Sequence, residues 1–156
     1  MTRYHLAELN IGRLNHPIEA PESAEFAAAL DPINLLAEAS PGFVWRLTGE
    51  NGEGSTYLDV SDDPRDAVNL SVWESHEALH HYVYKSGHVA YLRRRREWFE
   101  KPPEIETVCW WVEAGTEPTV DEAMAKLEQL RRDGPSAEAF TFADPRPSPD
   151  SPAPNS

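Results

Sequence analysis

Residues 67–92 read AVNLSVWESHEALHHYVYKSGHVAYL. The first seven alternate: Val68, Leu70 and Val72 fall on one side, Asn69, Ser71 and Trp73 on the other. That period of two is the signature of a strand. Past Trp73 the period changes, and Leu79, Tyr82 and Val83 recur at helical spacing behind Ser75, a good N-cap residue. A strand therefore runs straight into a helix over HEALHHYVY. The helix bends at Ser86-Gly87 and resumes as HVAYLRRRREWF until Pro102-Pro103 stops it.

Upstream, Tyr4 to Ile11 reads as a strand with Tyr4, Leu6, Glu8 and Asn10 on one side and His5, Ala7, Leu9 and Ile11 on the other. SAEFAAALDPINLLAEA (23–39) carries Phe26, Leu30, Ile33 and Ala37 at helical spacing, and Pro32 should kink or split that helix. Phe43 to Thr48 is a second strand. The Gly-rich turn GENGEG follows, and STYLDV can extend the hairpin. Downstream, Ile105 to Glu113 is a fourth strand, in which Trp110 and Trp111 must point to opposite faces. Thr119 to Arg132 is a last helix, with Thr119 as cap and Gly134 as terminator.

The order is β-α-β-β-α-β plus a C-terminal helix, the ferredoxin-like arrangement. This α+β class places two helices on one face of a four-stranded antiparallel sheet. The other face is expected to be bare and to carry Leu6, Trp45 or its neighbours, Trp73 and one of Trp110 and Trp111. An exposed aromatic face is an association site, so the expectation is a homodimer packed sheet to sheet.

Composition bounds the function. The chain has 156 residues, room for one domain of modest core, and a formal net charge of −13. Such a charge argues against nucleic acid and anionic membranes as partners. No run of about 18 apolar residues occurs, so no membrane span is expected. The opening MTRYHLAELNIGRL is too polar for a signal peptide, and the single cysteine, Cys109, fits a reducing cytoplasm. Residues 143–156, rich in Pro, Ser and Asp, read as a disordered tail behind a folded domain of residues 1–142.

HEALH (76–80) matches the zinc-protease pattern His-Glu-x-x-His, which would put His76 and His80 on one helix face with Glu77 as base. The metzincin continuation fails, because Val83 and Ser86 stand where Gly and His belong. A solvated helix face explains the same letters, and no metal is expected.

The stretch NLSVWESHEALHHYVYKSGHVAYL has a Trp-ended strand, then Glu-Ser-x-Glu-Ala-Leu, then Ser-x-His. It resembles the dimeric α/β-barrel superfamily, which includes antibiotic-biosynthesis monooxygenases and heme-degrading monooxygenases. Taken with YHLAELNIGRL, RRREWF, WWVEAG and GPSAEAFTF, it resembles a bacterial branch catalogued as a domain of unknown function. The resemblance covers residues 3 to 142. It implies a small-molecule pocket between the inner sheet face and the helices, lined by Asn10, Asn69, Trp73 and His88. It also implies a cofactor-independent monooxygenase or related enzyme acting on an aromatic or polyketide-like substrate. His88 would then be acid/base, Asn69 and Asn10 would orient the substrate, and Trp73 would form the wall. The alternatives it implies are a non-catalytic ligand-binding or accessory protein, and heme binding through His88. Heme-degrading members carry their Trp on the helix, where this chain has His80, His81 or Tyr82.

Two more residues join the candidates. Glu8 shares the face of Asn10 and, if buried, needs a partner, for which Arg46 is a candidate. Trp111 is a candidate pocket or interface residue. Arg93 to Arg96 spread around a helix and read as a solvated face paired with carboxylates. Cys109 reads as a small buried residue.

Overall fold

A computed structural model describes residues 3–48, 65–102 and 104–150. The expected STYLDV hairpin lies outside these residues. Four strands, β1 (Tyr4–Arg13), β2 (Phe43–Arg46), β3 (Asp66–Trp73) and β4 (Thr107–Glu113), form one antiparallel sheet in the order β2-β3-β1-β4. This is the ferredoxin-like order. The helices are α1 (Ala24–Ala39), α2 (His76–Lys85), α3 (His88–Arg93), α4 (Arg95–Trp98) and α5 (Val120–Asp133).

Local chemistry accounts for the boundaries. Ser75 Oγ accepts from the Ala78 amide at 3.1 Å, and Thr119 Oγ1 accepts from the Glu122 amide at 3.1 Å, so both expected caps form. Gly134, at φ +79°, closes α5 in a conformation that side chains resist. Pro32 does not split α1. Pro32 and Ala28, whose carbonyl loses its helical donor, are both on the exposed side, where water can take its place. The expected single helix over 88–99 divides at Arg94, which leaves helical geometry at ψ 8°. Its guanidinium reaches Glu97 at 2.7 Å and Glu25 of α1 at 2.6 Å, and lies 4.7 Å over the Trp98 ring. This turn joins the core of Leu14, Ile18, Leu30 and Trp98.

The bare second face is not found. α1 and α2 cover the face of Leu6, Glu8, Ser71, Trp73 and Cys109, where Leu6, Ala37, Trp73, Leu79, Tyr82, Cys109 and Phe140 pack together. The opposite face, with Ala7, Leu9, Leu70, Val72, Val108 and Trp110, is buried under Ala123, Leu127 and Leu130 of α5 and under Ala139. Leu6 and Trp73 therefore lie on the helix side, while Trp110 and Trp45 lie on the α5 side. Phe43 pairs with Trp73 and Trp45 with Val72, so a bulge turns the two aromatics of β2 to opposite faces. The amphipathic C-terminal helix has taken the place assigned to a second copy, which removes that ground for a homodimer. The outer edge of β4 is capped too: Cys109 and Phe140 exchange backbone hydrogen bonds at 2.8 and 2.9 Å.

Candidate functional site

Period-two alternation puts Glu8, Asn10, Ser71 and Trp73 on the helix-covered face, and antiparallel register sets Glu8 directly opposite Ser71 and Asn10 opposite Asn69. Glu8 is buried, at 7% exposure. Asn10 Nδ2 donates to Glu8 Oε1 at 3.0 Å and Ser71 Oγ donates to Oε2 at 3.4 Å. Ser71 in turn accepts from the indole N–H of Trp73 at 3.0 Å. Arg46 is not the partner of Glu8. It lies across from Ser71, but its guanidinium turns to Glu38 at 2.8 Å, where a more exposed carboxylate costs less to pair. Burial without a cation is the main reason that the Glu8 carboxyl is raised to about 7, the two donors pulling the other way.

Aromatic rings continue the strip. Trp73 stacks on Tyr82 at 5.0 Å, meets Phe43 edge-on at 5.4 Å, and Tyr82 meets His88 at 4.9 Å. The Tyr82 hydroxyl donates to the Ile33 carbonyl of α1 at 3.4 Å, and burial with the charge of Glu8 pushes its pKa up, so it stays protonated at neutral pH. Half-buried His88 opens α3, where the Ser86 hydroxyl accepts from its amide at 3.2 Å. His88 Nδ1 lies 3.3 Å from the Val83 carbonyl, which holds the hydrogen on that nitrogen. Burial lowers its pKa more than this bond raises it.

The structure thus brings Glu8, Asn10, Trp73 and His88 into one strip. Asn69 is opposite Asn10 but exposed, at the strip's solvent end. Trp111 is not part of it. The Trp111 indole N–H donates to the Arg146 carbonyl at 3.0 Å, and the ring lines a separate cleft of about 570 Å³ with Tyr4, His76, Glu77 and Arg146. Ser71 and Tyr82 are the members that sequence reasoning missed. Ser71 had a signal, a small polar residue facing an acidic one across adjacent strands. Tyr82 had only its place among core-facing helix positions.

The Tyr82 ring packs between His88 and Trp73. His76 Nε2 is held 2.8 Å from the Phe142 carbonyl, and the His76 and His80 rings pack with Phe142. Among the described residues no group of three or more His, Cys, Asp or Glu is placed to hold a metal ion. No helix among them is long and apolar enough to cross a membrane.

Solved structures with a similar chain path share little sequence. SnoaB, a cofactor-independent oxygenase from Streptomyces nogalater, is 17% identical with a TM-score of 0.47, over 76% of this chain and 98% of that one. NE2512, of unknown function, from Nitrosomonas europaea, is 12% identical with a TM-score of 0.47, over 74% and 94%. MupZ from Pseudomonas fluorescens is 11% identical with a TM-score of 0.42, over 95% and 91%. None of the curated proteins matches the chain. The family is given by the sequence itself: over residues 5–155 the chain matches, and so belongs to, the family described as domain of unknown function DUF3291.

Proposed function

We propose that the helix-covered sheet face is the binding site of a small planar molecule, and that the protein is a cofactor-independent monooxygenase or a related enzyme acting on an aromatic or polyketide-like substrate. The observation that carries this reading is the continuous strip from His88 through Tyr82, Trp73 and Ser71 to Glu8 and Asn10. It combines what such chemistry needs. Stacked rings offer a flat apolar wall, amide groups at Asn10 and Asn69 orient a carbonyl or hydroxyl, and His88 and Glu8 can exchange a proton in a low-dielectric setting.

In the reaction, a substrate CH₂ beside a carbonyl loses a proton and the resulting carbanion is oxidised by dioxygen. One oxygen atom becomes the new C=O and the other leaves as water, so CH₂ and O₂ give C=O and H₂O. The residues contribute orientation and proton transfer. The sequence resemblance to antibiotic-biosynthesis monooxygenases supports the same reading.

The test is oxygen uptake with a panel of aromatic ketones that carry an enolisable CH₂. Uptake by the wild-type protein that falls in Trp73→Ala, which removes the aromatic wall, with the fold retained, is the expected result. Saturable binding of the same ketones with no uptake would replace the enzyme by a ligand-binding protein.

A further inference from the structure

Resting on that reading, we propose that Glu8, rather than His88, is the group that takes the proton from the substrate. Glu8 occupies the middle of β1, on the row shared by Leu6 and opposite Ser71 and Cys109. An ordinary core would place an apolar side chain there, because a buried carboxylate without a cation is costly. Arg46, which lies across β3 from Glu8 opposite Ser71, pairs with Glu38 instead. The carboxyl is held instead by neutral donors, Asn10 on one oxygen and Ser71 on the other. Neutral donors orient a carboxyl without locking it in the charged form as a guanidinium would.

The other titratable groups facing Glu8 do not compete. Tyr82 from α2 and the Cys109 thiol from β4 are both pushed up, away from neutrality. His88 stands at the outer end of the strip, with one ring nitrogen tied to the Val83 carbonyl and its basicity lowered by burial. Glu8 has the opposite balance: burial strengthens it as a base, to about 7, where a general base works best at neutral pH. In the step, the substrate C–H or O–H bond breaks, its electron pair stays on the substrate, and the proton passes to a Glu8 oxygen. Trp73 is a positioning residue. Its indole N–H occupies a lone pair of Ser71 Oγ, which leaves the serine hydrogen for Glu8.

Two measurements test this, one of them independent of any ligand. In protein with ¹³C-carboxyl-labelled glutamate, one resonance should titrate near 7 and vanish in Glu8→Gln. If every glutamate titrates in the ordinary carboxylate range, the role is lost. The second uses 4-nitrophenol, whose absorbance reports its ionisation. Near pH 7, where Glu8 is partly ionised, wild-type and His88→Ala proteins should bind it in part as phenolate, and Glu8→Gln, with no group to take the proton, should bind it with less phenolate. Phenolate retained in Glu8→Gln and lost in His88→Ala would return the role to His88 and leave the binding site intact. No binding by any of the three proteins would remove the site itself, and the role of Glu8 with it.

Discussion

Gly42 and Ala78 meet without room for another carbon: a Cβ added to Gly42 would overlap the Cβ of Ala78. The Gly42 carbonyl also accepts from the Glu74 amide at 2.7 Å, so the start of β2 is pinned to the junction between β3 and α2. Gly42 has φ +82° besides, so alanine there is strained by backbone and contact together. Gly42→Ala should cost about 2–4 kcal/mol in urea denaturation. Adding Ala78→Gly should recover part of the loss, less about 1 kcal/mol for a helical glycine.

Stability should fall as pH rises through the Glu8 window. The folded protein holds the Glu8 proton up to about 7 and the unfolded chain only to about 4.5. Between those values the native state binds more protons, so each step up in pH favours unfolding. Above the window the difference amounts to about 3 kcal/mol, and Glu8→Gln should be more stable than wild type by up to that amount. His88 acts in the opposite sense: its lowered pKa gives stability that is lost as pH falls from its ordinary value of 6.5. Denaturant curves of both proteins on either side of the window separate the two groups.

Ser71→Ala strips one donor from Glu8 and leaves the buried Trp73 indole N–H without its acceptor. A destabilisation of about 1–3 kcal/mol is expected. The Glu8 titration should also move further up, which carboxyl NMR would show and a purely packing role for Ser71 would not.

Leu127 is fully buried between α5 and the sheet. Leu127→Ala should cost about 2–5 kcal/mol and lower the thermal midpoint. A negligible change would mean that α5 does not rest on its own sheet in solution.

Trp111→Phe removes the indole N–H that holds the Arg146 carbonyl. Amide exchange near residues 146–150 should quicken, with a local cost of about 1 kcal/mol. Glu8 should titrate as before, since among the described residues the two sites share no hydrogen bond.

The sequence made the elements and their faces legible, because alternation in β1 and β3 groups Glu8 with Asn10 and Ser71 with Trp73 whatever lies above them. It did not say which group the helices would cover. Period two sorts residues into two sets and leaves the sets unlabelled, and the bulge between Phe43 and Trp45 breaks even the sorting within β2. The clue to the second cover was Ala123, Leu127 and Leu130 on one side of α5, a stripe that has to be buried somewhere. Within the site, the pairing of Arg46 with Glu38 rather than Glu8 is a choice among rotamers and distances that spacing does not carry. The place of Tyr82 between Trp73 and His88 depends on how deeply α2 sits on the sheet, which is equally invisible in one dimension.

The helix laid over the second sheet face sets the kinetics of any assembly through that face. A partner sheet could reach Leu9, Leu70 and Trp110 only after α5 had undocked. Association there would be an exchange of helices, with a rate limited by local opening and nearly independent of protein concentration once partners are abundant. An encounter between ready-made surfaces would instead speed up in proportion to concentration.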